Sequence, residues 1–146
     1  MIIAVDFDGT CVTHDFPEIG KEIGAAPVLK ALFQKGNDII LNTMRSSQEG
    51  YVLRDAVSWF DGHDIPLYGV NENPDQKNWT SSPKVYAHLY IDDAALGIPL
   101  IQGVHTRPFV NWLGVLNLLK PFQIFSPKER EWLTNEILEN VYYLKH

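Results

Sequence analysis

Cysteine is almost missing from this chain: Cys11 is the only one among 146 residues. One thiol can form neither an internal disulfide nor a thiolate zinc site. Cys11 follows Thr10 beside an acidic motif, where it is either a small packed residue or a reactive thiol. No apolar run reaches the roughly 18–20 residues of a membrane span, so a spanning segment is not expected. Acids at positions 6 and 8 interrupt the apolar stretch that a signal peptide would need, so the chain is expected in the cytoplasm. Basic residues are outnumbered, 12 Lys and Arg against 18 Asp and Glu, for a net charge of −6. With no basic face in prospect, the balance weighs against a nucleic-acid substrate.

Apolar residues make up 45% of the sequence, which is enough for a real core in a chain with room for one domain. Residues 2–6 read as a short strand of the uninterrupted apolar kind that parallel sheets bury on both faces. A helix is expected from Pro27, a favoured first-turn residue, to Gly36, with Val28, Leu32 and Phe33 as its core face. A strand follows at Asp38–Leu41. Ser46 to Glu49 fits a capping box and opens a helix through Tyr51, Val52, Ala56 and Trp59 that ends before Asp61-Gly62. Residues 65–68 suggest a short strand, 71–83 a loop, and Lys84–Ile91 a strand that ends at Asp92-Asp93. Further on, Phe109–Leu119 suggests an apolar helix. Ser126-Pro127-Lys128-Glu129 is a second capping box, opening a helix to about Leu144.

Alternating strands and helices argue for an α/β, three-layer, Rossmann-like and mostly parallel sheet with helices on both faces. Residues 1–120 form the expected catalytic domain, and 121–146 a C-terminal helix packed on it. In such sheets ligands bind at the carboxyl ends of strands, and each polar cluster falls at such an end.

The first cluster is Asp6-Phe7-Asp8-Gly9-Thr10. Two carboxylates just past a strand can face one point, and Gly9 permits a turn and close approach of a ligand. Crowded carboxylates invite a hard cation such as Mg²⁺, although a turn or helix cap would also account for either acid. A calcium loop fails, because its glutamate position is Pro17. In Asn42-Thr43-Met44-Arg45, a hydroxyl and free N–H groups suit a phosphate oxygen, although Thr43 would also serve as a plain helix cap. Arg45 would grip phosphate in bidentate fashion or stand in solvent. Lys84, or Lys77 from the loop before it, would balance charge beside the acids. Asp92-Asp93 places like charges side by side, a cost that a metal ion resolves. His88 suits a packed or hydrogen-bonded role better than a ligand's.

A strand ending in Asp-x-Asp-Gly-Thr, a strand ending in Thr, a Lys, and a strand ending in Asp-Asp, in that order, resemble the four motifs of the haloacid dehalogenase superfamily. The match spans roughly residues 1–97. Lys84 to Asp93 also resembles the corresponding segment of 5′(3′)-deoxyribonucleotidases. The resemblance implies a Mg²⁺-dependent phosphatase in which Asp6 attacks phosphorus and Asp8 serves as acid and then base. It implies a metal site from Asp6, Asp8 (through its carbonyl), Asp92 and Asp93, with Asp93 favoured as the direct ligand of the last pair. Thr43 and Lys84 would bind the transferred phosphoryl group, with Gly9, Thr10, Met44 and Arg45 completing the substrate-binding set. The stretches between motifs are too short for the cap domain usual in that superfamily. An open site implies a phosphorylated small molecule, an exposed phosphoryl group on something larger, or a lid from a partner subunit. The alternatives are a phosphotransferase and a phosphate-binding module with little turnover. A signalling receiver is disfavoured because Lys84 precedes the last acidic pair. Trp79, Tyr51 and Trp112 are candidates for stacking a base, or simply core aromatics.

Overall fold

The computed structural model describes residues 1–103 and 107–141. Four parallel strands, β1 (Ile2–Val5), β2 (Asp38–Leu41), β3 (Leu67–Val70) and β4 (Leu89–Ile91), lie in the order β3-β2-β1-β4. A small antiparallel ribbon, β5 (Leu100–Ile101) and β6 (Phe109–Val110), stands apart from them. The helices are α1 (Ala25–Gln34), α2 (Val52–Gly62), α3 (Trp112–Leu118) and α4 (Pro127–Asn140).

Register decides which face each strand residue serves. Gly69, Ile40, Ala4 and Tyr90 pair in one row across the sheet, and Val70, Leu41, Val5 and Ile91 in the next. The second row points at the core. Val5, Leu41 and Ile91 share one buried cluster with Leu29 and Leu32 of α1, Phe60 of α2, Trp112 of α3 and Leu133 and Ile137 of α4. All four helices therefore contribute to one core, which differs from the expected helices on both faces. The other face is covered by the coil after β3, with one 3₁₀ turn at Gln76–Asn78. At Gly69 the coil comes close to the strand. A Cβ on Gly69 would lie 2.1 Å from the Glu72 carbonyl oxygen. The Tyr90 hydroxyl then donates to the Val85 carbonyl at 2.5 Å, tying the coil down.

Several element boundaries differ from expectation for local reasons. Pro27 is the third residue of α1, still in the first turn, where its missing N–H costs nothing. Leu29 takes the core position expected for Phe33, which is 36% exposed. Ser46 caps only a 3₁₀ turn, Ser47–Glu49, because Gly50 (φ +76, ψ −123) breaks the run before α2. The Lys84–Ile91 segment forms a strand only from Leu89, since the Gln76 side chain takes the Lys84 carbonyl at 2.8 Å and the Tyr86 N–H at 2.8 Å. Phe109–Leu119 divides at Asn111, whose side chain accepts from the Gly114 N–H and caps α3. The second capping box forms as expected, with both Ser126–Glu129 bonds present, but α4 ends at Asn140, where Val141 turns to extended backbone (φ −104, ψ 106), short of the end expected near Leu144; residues 142–146 lie outside the described residues. Among the described residues no helix is long and apolar enough to cross a membrane.

Candidate functional site

The sheet delivers three loops to one end. Asp6 follows β1, Thr43 follows β2 and Asp92-Asp93 follow β4, all at carboxyl ends. Between the first two acids, Phe7 is fully buried and packs on Trp59 and Phe60, with ring centroids 5.8 and 6.2 Å away. That burial, about 1.5–3 kcal/mol for a side chain of this size, anchors the loop. Asp6 and Asp8 are thereby turned the other way.

Thr10 is the hub. Its hydroxyl donates to Asp6 Oδ2 at 2.8 Å and accepts the Asp93 N–H at 3.0 Å, while its carbonyl accepts from the Trp112 indole at 2.7 Å. One fully buried side chain therefore fixes both acidic loops in mutual register. Gly9 (φ +80) makes room: a Cβ there would lie 2.1 Å from His14 Nε2 and 2.8 Å from Asp93 Oδ2. Those two atoms are themselves bonded at 2.9 Å.

Carboxylate oxygens of Asp6, Asp92 and Asp93 all lie within 4.8 Å of one another. Burial is the main cause that pushes the Asp6 carboxyl up from 3.8 to about 7. The charges of Asp92 and Asp93 add to this, while hydrogen bonds from Thr10 and from the Phe7 main chain oppose it. Three half-buried hard oxygen donors gathered this closely suit a hard divalent cation.

A cavity of about 620 Å³ opens over this cluster, with Asp8, His14, Thr43, Met44 and Arg107 among its lining residues. The Thr43 N–H donates to Asn71 Oδ1 at 2.7 Å, and its hydroxyl oxygen accepts the Arg45 N–H at 3.1 Å. Thr43 itself lines the cavity.

Arg45 differs from expectation. It is 2% exposed and grips Asp8 with Nε and Nη2, each at 2.8 Å from a carboxylate oxygen. Its remaining N–H groups donate to the carbonyls of Pro17, Glu18 and Val52. All five donors are used, so Arg45 is not a phosphate clamp. The Asp8 carboxylate stands outside the acidic cluster, so any contact of Asp8 with an ion there falls to its carbonyl oxygen.

Lys84 is not brought to the site. It precedes β4 by several residues, at the amino end of the sheet, with its Nζ over the Tyr90 ring at 5.6 Å. Lys77, in the 3₁₀ turn, lines a different depression behind β3. The Gly9 N–H bonds to the Val12 carbonyl and the Thr10 N–H to that of Phe7, so both residues shape the loop without lining the cavity. Burial pushes the Cys11 thiol well up and its Sγ donates to the Asp6 carbonyl, which makes it a packed residue. His88 accepts the Ile2 N–H, the hydrogen-bonded role expected of it. Trp112 is buried, and exposed Tyr51 and Trp79 do not line the cavity.

His14, Arg107 and Asn71 are the site residues that the sequence did not point to. His14 reaches Asp93 only because the chain doubles back through bridges of Val12 with Asp8 and Glu22. Arg107 sits in a stretch whose only pattern is apolar. Asn71 (φ +54) offered the one usable signal, as a turn asparagine just beyond a strand.

An α/β protein with an acidic cation-type cluster at the carboxyl end of a parallel sheet is the class that fold and site define. No protein-family model and no curated protein matches the chain. Among solved structures it is similar to a conserved protein from Bacteroides thetaiotaomicron, at 40% identity and a TM-score of 0.60, over 68% of this chain and 81% of that one. The chain belongs to the same family as that conserved protein.

Proposed function

We propose that this protein is a Mg²⁺-dependent phosphomonoester hydrolase working through an aspartyl-phosphate on Asp6. The observation that carries the reading is the convergence of Asp6, Asp92 and Asp93 within 4.8 Å, beside the Thr43 hydroxyl in one cavity. This agrees with the motif order that resembles the haloacid dehalogenase superfamily.

Asp6, Asp92 and Asp93 would hold the ion, which when bound neutralises their mutual repulsion and the charge of an incoming phosphate. Asp6 Oδ attacks phosphorus and the P–O bond to the leaving group breaks. Thr43 donates to an equatorial oxygen as charge shifts onto it. The leaving oxygen takes its proton from Asp8, which then receives one from the water that attacks the acyl phosphate. Phosphate departs and Asp6 is restored. The Arg45–Asp8 pair has to loosen for Asp8 to carry that proton.

Hydrolysis of p-nitrophenyl phosphate with Mg²⁺ and with chelator, for wild type and Asp6→Asn, tests the reading. Metal-dependent turnover lost in the variant is expected; a folded wild type that binds Mg²⁺ without turnover would refute it. The pair that holds Asp8, together with the absence of Lys84 from the cavity, favours one second reading. It is a phosphate-binding or phosphotransfer protein with slow hydrolysis, acting alone or with a partner. A phosphoenzyme discharged by an added alcohol faster than by water would support it.

A further inference from the structure

A phosphate dianion entering this cavity meets Asp6, Asp92, Asp93 and Glu49, so a metal ion alone leaves the approach unfavourable. A second cation is needed, and neither of the expected ones is free. Arg45 has spent all five donors on Asp8 and three carbonyls. Lys84 lies at the other end of the sheet, over Tyr90. Arg107 remains. It lines the same cavity, is exposed, and has no hydrogen-bond or ion-pair partner among the described residues.

The chain around Arg107 is anchored to the loop that carries Asp6. Two residues on, Phe109-Val110 form β6 and are fully buried; the Val110 N–H donates to the Gly9 carbonyl at 2.9 Å, and Trp112 to that of Thr10 at 2.7 Å. The stretch that follows Arg107 is thus tied to the loop that carries the attacking carboxylate, and Arg107 lines the same cavity as Asp6 and Thr43. A guanidinium is a planar fork that matches two oxygens of a phosphoryl group, and carries its charge at every relevant pH.

We propose that Arg107 is the phosphoryl-binding cation of this site, contacting the non-bridging oxygens of a phosphomonoester dianion in the role that Lys84 was expected to fill. The inference rests on the phosphohydrolase reading for its substrate, but its test does not require turnover.

The experiment uses the full chain with Mg²⁺, comparing wild type, Arg107→Ala and Arg107→Lys. Inorganic phosphate is the probe, read by calorimetry and as an inhibitor of p-nitrophenyl phosphate hydrolysis, with Mg²⁺ affinity measured separately. Arg107→Ala should weaken phosphate binding and raise KM by about 10- to 100-fold, the span of one or two charge-assisted hydrogen bonds. Arg107→Lys should recover part of the loss, and Mg²⁺ affinity should stay within about twofold. Phosphate affinity within about twofold of wild type in Arg107→Ala overturns the proposal, as does wild type that binds no phosphate. Phosphate binding lost in the variant of a chain with no turnover sinks the hydrolase reading and leaves this one standing. Turnover with KM and inhibition unchanged does the reverse.

Discussion

Arg45 holds both carboxylate oxygens of Asp8, at 2.8 Å each, from a position 2% exposed. The same guanidinium gathers carbonyls of Pro17, Glu18 and Val52, so it ties the acidic loop to the chain beyond it and to the start of α2. Removing it leaves a carboxylate and several carbonyls without donors. Arg45→Met should therefore destabilise the fold by about 3–5 kcal/mol, the range for breaking a buried pair from one side. Urea unfolding checks this; a loss below about 1 kcal/mol would show the pair to be a surface contact.

Asp6 makes metal binding depend on pH. Burial and the neighbouring Asp92 and Asp93 raise its carboxyl from 3.8 to about 7. Between those values the folded, ion-free chain keeps a proton that the unfolded chain has lost, so stability falls as pH rises through that window. A cation must displace that proton. Mg²⁺ affinity should rise by about tenfold per pH unit up to about pH 7 and level off above it. Calorimetry from about pH 5.5 to 8.5 should show this slope in wild type and lose it in Asp6→Asn; a flat wild-type profile counts against the assignment.

Gly9 and Gly36 both have positive φ, +80 and +87, yet their surroundings differ. A Cβ on Gly9 meets His14 and Asp93, while one on Gly36 meets nothing within 4 Å. Gly36→Ala should cost only the left-handed backbone, about 1–2 kcal/mol. Gly9→Ala should cost more and also weaken Mg²⁺ binding, because it separates His14 from Asp93. Equal melting temperatures for the two variants, with equal Mg²⁺ affinity, would refute the packing argument.

Lys84→Ala should leave turnover and KM within about twofold of wild type, since its ammonium rests on an exposed tyrosine ring away from the cavity. A loss of about tenfold or more would mean that the coil before β4 rearranges to bring the lysine in.

What could be read beforehand was what is local. β2 coincides with its expected span and the Ser126–Glu129 box with its capping pattern, because alternation, caps and apolar runs act over a few residues. The acids at the ends of β1 and β4 were placed by the same logic of strands ending at polar residues. Side-chain partnerships across the chain were not readable. Arg45 and Asp8 are far apart in sequence, and nothing near either announces that they saturate each other. Gln76 stops β4 short of Lys84 by offering a side-chain amide to the backbone, a competition that a β-branched, aromatic run does not reveal. Helices on both faces failed as an expectation because the chain between β3 and β4 crosses the second face as coil, held by side-chain bonds from Gln76 and Tyr90 rather than by a helix.

The most direct measurement of the central claim uses Asp8→Asn, which still attacks an ester with a good leaving group but lacks the base that releases the intermediate. Mixed with Mg²⁺ and p-nitrophenyl phosphate and quenched in acid, this variant should carry the mass of one phosphoryl group on the peptide containing residue 6. One equivalent of p-nitrophenolate released with no added mass at Asp6 would contradict the account.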